Sequence, residues 1–435
     1  MEIPNKKYII TISYGNYVGS MGGTDKYISE LQELLQLSGI SVVHLFPLKK
    51  KIKKRVITTL LWGVVVDGRF AGYYTTASIV NFLHHEKHNH QLLNIYINHL
   101  KDCSIKNICF LLDHVMVPIT FFIHDFYSVC PTGGLIKNNE VFCGANYPNQ
   151  KKCRECRFFC NVTLKRVENY KAFFAKYSDR IVFVAPSICC GNIWREVYRE
   201  FSDRVLVIPH QDLVGQYIQN IEPIKKAEPI KIAFVGMQRN LKGWKEWVDV
   251  CEIIGNNPQI QLFHFGGTDE GLKNVKHVSV NYNVEKESMV YQLRREKIQC
   301  AVLWSKVPET YSYTYYEAFS SNCYVLTNTD SGNIADQIEI HKNGYVCSQN
   351  EGLKDIISDV DRLRGEINHF RNQKKYGPDH LQINSDIIEI LEKSVLDRYV
   401  MKKAPRFLEF RLIGNSITKL YCFVKDYKRE DLFHL

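Results

Sequence analysis

Apolar residues along this chain fall into two alternating textures. Short unbroken apolar runs of strand length recur from residue 7, and between them apolar positions return every three or four residues. "KYIITISY", "SVVHLFPL", "LLNIYIN", "VPITFFIHD", "RIVFVAPS" and "RVLVIPH" are the strand-like runs of the first half. After the first of them, Tyr27, Ile28, Leu31, Leu34, Leu35 and Ser38 share one face of a helix that Gly39 stops. "GVVVDGRFAGYY" adds a hairpin with Asp67-Gly68 at its turn. Polar residues 211–229 interrupt the pattern, and it restarts at "IKIAFVG", "QLFHFGG", "IQCAVLW" and "CYVLTNT".

Continuous apolar strands separated by helices imply parallel sheets covered on both faces. The expected fold class is therefore α/β, with two Rossmann-like, doubly wound domains facing a central cleft. The boundaries expected are 1–215, with a cysteine-containing insertion at about 126–165, then 216–395, hinged near 212–229. An amphipathic segment, 396–435, is expected to pack back on the first domain.

Ligands of such sheets bind beyond the carboxyl ends of the strands. Here those ends carry Gly22-Gly23, Asn98-His99, His124-Asp125, Gly236 and Gly266-Gly267. "GSMGGTDK" lets backbone approach a phosphate at a helix start, although a plain structural turn has the same composition. "FVGMQRNLKGWKEW" puts Arg239 and Lys242 at the entry of a helix, where cations are disfavoured. An anion held between them, such as a diphosphate, removes that objection; two solvated cations are the alternative. His124 reads either as a satisfied structural histidine or as a hydrogen-bonding partner for a substrate hydroxyl.

"PETYSYTYYE" places Glu309 and Glu317 about 12 Å apart if the residues between are helical. That separation is too wide for two carboxylates flanking one glycosidic bond. A helix starting near Ser312 would aim its first amides at an anion, with Tyr316 the tyrosine expected deepest.

Together "GGTDK", "HDFYSVCP", "VAPS", "VIPH", "FVGMQRNLKGW" and "PETYSYTYYEAFSSNCYVLTNTDSGNIAD…NGYVC" resemble a glycosyltransferase of the group 1 (family 4) type, over about residues 7–395. The resemblance implies the GT-B fold and transfer of a sugar, with retention, from a UDP- or GDP-linked donor without a required metal. It implies that Glu309 sits by the donor sugar with His124, and that Glu317 holds the ribose hydroxyls. Lys242 and Arg239 would neutralise the diphosphate, with Gly22, Gly23, Gly236, Gly266, Thr310, Tyr311 and Ser312 around the donor and His99 and Asp125 on the acceptor side. The subgroup is similar to enzymes that build bacterial surface polysaccharide, such as capsule or O-antigen, on saccharide or lipid-linked acceptors. Two positions depart from it: Met237 follows the glycine where an arginine is common, and Thr132-Gly133-Gly134 follows "CP" where an arginine is common. These departures keep a second class open, a non-catalytic scaffold that binds sugar nucleotides.

Composition refines the picture in three places. No apolar run reaches the length of a membrane span, and the nearest, residues 108–126, carries Asp113 and His114. With no secretory signal pattern, the chain is expected in the cytoplasm, where fourteen cysteines are thiols and not bridges. Cys130, Cys143, Cys153 and Cys156 then read either as a structural zinc site or as thiols packed in the insertion. Net charge is +10, from 56 basic and 46 acidic residues, and a dense part of it is "KKKIKKR", Lys49–Arg55. That run reads as a solvated loop or as a contact with an anionic membrane face. No recognition motif accompanies the charge, so nucleic acid is not an expected partner; a zinc-containing nucleic-acid binder rests on the cysteines and charge alone.

Overall fold

The structure, a computed structural model, describes residues 2–401 apart from 21, 53–54, 139–140, 145–152, 157–159, 216, 219–221, 268, 282–283, 285, 287, 349–350, 374–375, 378–379 and 394–399. The first sheet has eight strands in the order Val205–Val207, Ile181–Ala185, Ile119–Phe122, Gln91–Ile97, Lys7–Ile12, Ile40–Ile52, Arg55–Val66 and Arg69–Thr75. The first six are parallel, and the last two are added antiparallel. The second sheet is wholly parallel, in the order Val275–Val278, Ile260–Phe265, Ile230–Val235, Cys300–Val302, Tyr324–Asn328 and Gly344–Cys347.

The unbroken apolar runs follow from burial on both faces. Successive strand residues point to opposite sides. Ile10, Ile95, Phe121 and Phe183 enter one core, and their neighbours Ile9, Tyr96, Phe122 and Val184 enter another. In the second sheet Phe234, Leu262 and Val302 face one core while Ala233, Phe263 and Ala301 face the other. At the hairpin, Asp67 and Gly68 both have positive φ, 46° and 80°, as the tight turn requires. In each sheet a first strand has neighbours reached in opposite directions, and the loops after it hold Gly22-Gly23 and Gly236. Both glycine loops therefore open at a switch point.

Two expectations need correction. The lysine run is not a loop. Ile12 lies opposite Leu45, and the strand continues through residues 46–52 while pairing with Arg55–Val66. At roughly 3.3 Å per residue this makes an arm of about 23 Å past the cleft-side edge of the sheet. The side chains of residues 50–60 lie outside the described set. Second, the chain returns to the first domain earlier than expected. Gln211–Val214 pairs antiparallel with His380–Ile383, and helix Asp386–Lys393 then packs Ile387, Ile390 and Leu391 against Ile9, Tyr27 and Leu31. That helix belongs with the first domain, not with 216–395. Val400–Met401 pairs with Val115–Met116 of the same domain, and residues 402–435 of the expected C-terminal segment lie outside the described residues.

Ile387 is 1% exposed. Ile387→Ala should cost about 2–4 kcal/mol of unfolding free energy, read from the denaturation midpoint of the first domain. A cost under about 0.5 kcal/mol would place this helix outside that core.

Candidate active site

The second domain contributes the cations. After strand Ile230–Val235 the backbone turns at Gly236, with φ 129°, into a short turn Asn240–Lys242 and then helix Trp244–Ile254. Gly243 has φ 84°, and a side chain there would meet Trp304 at 2.5 Å. Arg239 and Lys242 are both exposed at this helix entry, and Gly266 lies beside Gly236.

Glu309 reaches the same place from the loop after Cys300–Val302. Its backbone is held by a parallel bridge to Gly332, with Asn333 N–H donating to its carbonyl at 3.0 Å. Gly332 has φ 61°, and a Cβ would come within 2.7 Å of Pro308, so this close approach needs glycine. The Glu309 carboxylate accepts from Ser305 Oγ at 2.6 Å and pairs with Lys242 Nζ at 2.5 Å. The residues expected at the sugar and at the diphosphate are thus in contact. Ser305, Gly332 and Asn333 were not singled out by the sequence; "SGNIAD" was visible, but its contact with Pro308 was not.

Helix Tyr313–Ser320 starts where expected, with Ser312 Oγ accepting from the Tyr315 amide at 3.3 Å. Tyr315, fully buried, lies deeper than Tyr316. Glu317 is 4% exposed, and its Oε1 accepts from Lys26 Nζ of the first domain at 3.1 Å. Its Oε2 is buried without a hydrogen-bond partner. Lys26 also lies 3.9 Å from Glu30, which accepts from Gln211 at 3.0 Å. Lys26 and Glu30 were missed as site residues. Lys26 stands in the first turns of its helix, the same disfavoured placement that drew attention to Lys242.

On the first domain His124 donates or accepts at two fixed partners, Asn98 Oδ1 at 2.9 Å and His210 at 3.3 Å. Its carbonyl accepts from Thr310 Oγ1 at 2.6 Å, and Tyr311 packs on His210. Burial lowers the His124 pKa to about 3, so its ring is neutral. His99 Nδ1 accepts from the Lys101 amide, so Nε2 carries the proton that it donates to Asp125 Oδ2 at 3.0 Å. Burial opposes ionisation of Asp125, but His99 and the Tyr127 amide outweigh it and hold the carboxyl below the usual range. Gly133 makes this possible: a Cβ there would sit 2.8 Å from Asp125 Oδ2.

Three placements differ from expectation. Gly22 does not stand open as an anion cradle, since its backbone hydrogen-bonds to the Asp25 carboxylate, which Ser20 also holds at 2.5 Å. Lys49 turns inward to Asp102 at 2.6 Å and lies over the Tyr14 ring. The four insertion cysteines do not converge: among the described residues no three His, Cys, Asp or Glu side chains form a metal-holding group. Cys153 and Cys156 flank a turn, Cys143 follows the strand Val141–Phe142, and Cys130 faces Thr132 at 3.3 Å. Burial also raises the Cys130 pKa, which favours the thiol over a metal-binding thiolate.

No family model matches the chain, and no curated protein sequence matches it. Solved structures do. Sucrose-phosphate synthase from Thermosynechococcus elongatus superposes with a TM-score of 0.52 at 13% identity, covering 89% of this chain and 97% of that one. A glycosyltransferase from Rickettsia africae gives 0.52 at 11%, over 91% and 100%. The pneumococcal O-GlcNAc transferase GtfA gives 0.51 at 9%, over 90% and 98%. The chain has the GT-B fold. In that fold the two sheets present their carboxyl edges to one cleft; Lys242, Glu309 and Glu317 follow the carboxyl ends of strands in the second sheet, and His124 follows one in the first.

His44, His124, His210 and His264 are all held below the ordinary histidine value by burial, His44 to about 4. In the unfolded chain they take up protons near pH 6.5 while the folded chain does not, so stability falls as pH drops from 7 toward 5. Glu30, raised to about 7, and Asp25, Asp212 and Asp336, also raised by burial, act in the opposite sense. Urea denaturation at pH 7 and pH 5 should show lower stability at pH 5; equal or greater stability would mean that these rings are charged in the fold.

Proposed function

We propose that the protein is a retaining glycosyltransferase that moves a sugar from a nucleoside diphosphate donor to a saccharide or lipid-linked acceptor. The observation that carries this reading is the placement of two glutamates at different stations of one cleft, each beside a lysine. Glu309 with Lys242 lies at the entry of helix Trp244–Ile254, and Glu317 lies about one turn into its own helix beside Lys26. The first pair suits a sugar and its leaving diphosphate; the second suits a ribose, since Oε2 of Glu317 is an unfilled acceptor.

Charge grows on the diphosphate as the sugar–phosphate bond breaks. Lys242, Arg239 and the helix entry are positioned to stabilise it, so this reading requires no metal. The neutral His124, fixed by Asn98 and His210, stands on the sugar side, and Asp125 with His99 stands toward the acceptor. UDP is the nucleotide in the GtfA complex, which supports UDP alongside GDP as the donor base to test first. Surface-polysaccharide synthesis at the inner face of a membrane is the setting that the motif resemblance supports. Among the described residues no helix is long and apolar enough to cross a membrane. Contact with lipid falls instead to the basic arm at the cleft edge, which carries Lys50, Lys51 and Arg55.

The two glutamates should fail differently. Glu317→Ala removes a contact present in both ground and transition states, so the donor KM should rise roughly ten- to a hundredfold with little change in kcat. Glu309→Gln should lower kcat itself, measured as nucleoside diphosphate released per second at saturating donor. If neither substitution changes turnover or donor affinity, the scaffold reading replaces the enzyme.

The arm has its own test. Neutralising Lys50 and Lys51 should weaken binding to anionic vesicles in a salt-dependent way and leave donor hydrolysis in solution unchanged. Equal binding to neutral and anionic vesicles would remove the membrane contact.

A further inference from the structure

Glu317 is buried in the second domain, and a carboxylate taken out of water needs a cation or several donors to remain ionised. Its helix supplies neither to the carboxylate. The cation comes from a residue 291 positions away, Lys26 on helix Gly23–Leu37 of the first domain. Lys26 is itself steered by three groups. Its Nζ is 3.1 Å from Glu317, 3.9 Å from Glu30 and 4.4 Å from the centre of the Tyr313 ring. The aromatic face below the ammonium and the two carboxylates beside it leave little freedom for the head group.

We propose that Lys26 is a positioning residue for ribose recognition, a latch that fixes Glu317 from across the cleft. By engaging Oε1 alone it orients the carboxylate so that the buried, unpartnered Oε2 is left to accept a ribose hydroxyl. Ribose capture and closure of the two domains then become one event, because the group that prepares Glu317 belongs to the opposite domain. The inference rests on the proposed sugar-nucleotide reading of the cleft.

The chemistry of the neighbours supports it. Burial works against the Lys26 ammonium, but Glu317 and then Glu30 more than offset this, and the lysine keeps its charge. Burial pushes the Glu30 carboxyl up to about 7, so near neutrality part of the Glu30 population is uncharged. Glu317, at 3.1 Å against 3.9 Å for Glu30, is also the closer partner of the lysine. Thr310 to the His124 carbonyl and Tyr311 on His210 close the same seam with neutral contacts, and Lys26–Glu317 adds a charged one.

The test compares binding of UDP and GDP with binding of their 2′,3′-dideoxy forms, by calorimetry on the full chain. Wild type should bind one ribonucleotide more tightly than its dideoxy form. Lys26→Met should weaken that ribonucleotide roughly tenfold or more and the dideoxy form much less, so ribose discrimination collapses. Lys26→Arg, which keeps the charge and the reach, should retain most of it and guards against a simple folding defect. If Lys26→Met weakens both nucleotides equally, or neither, the latch is wrong while the sugar-nucleotide reading stands. If wild type binds no nucleoside diphosphate, both fall together.

Discussion

A carboxylate buried in one domain and neutralised from the other constrains everything around it. Glu317 is 4% exposed, and the lysine beside it is anchored on the helix that follows the first strand of the opposite sheet. That pairing requires the two sheets to present their carboxyl edges to each other at close range. The surrounding contacts agree with this demand: Thr310 reaches the His124 carbonyl, and Tyr311 packs on His210. Polar groups so enclosed must be satisfied by partners fixed in advance, and a cleft lined in this way is prepared for a polar, multiply hydroxylated ligand.

The antiparallel pairing of Gln211–Val214 with His380–Ile383 makes the crossing between domains two-stranded. The helix that follows, Asp386–Lys393, ties the end of the second domain's chain segment into the core of the first. The two crossings lie side by side at one edge of the cleft. Of the charged contacts at the cleft, Lys242 with Glu309 lies within the second domain, whereas Lys26 with Glu317 joins the two.

Much of this was legible in the sequence. The strand-and-helix alternation, the Asp67-Gly68 hairpin and the helix beginning at Ser312 follow from local rules, because each depends on neighbours within a few residues. The positions of Glu309 before that helix and Glu317 within it were legible for the same reason. What could not be read were partnerships between distant segments. Lys26 and Glu317 are 291 residues apart. The stripe of Ile387, Ile390 and Leu391 announces an apolar face but not which sheet covers it. The run Lys49–Ile52 looks like a loop by composition, yet pairing with Arg55–Thr58 makes it a strand, an instance of tertiary context overriding propensity. For the insertion cysteines, spacing suggested a metal-holding group, and among the described residues no such group is formed.

The central claim is that the cleft holds a sugar nucleotide with its diphosphate at Lys242 and its ribose at Glu317. A crystal structure of the full chain with UDP or GDP bound tests it most directly. The account predicts the β-phosphate on Lys242, with the Lys242–Glu309 pair opened, and a ribose hydroxyl on Oε2 of Glu317 while Lys26 stays on Oε1. A nucleotide bound elsewhere, with both ion pairs unchanged, would contradict it.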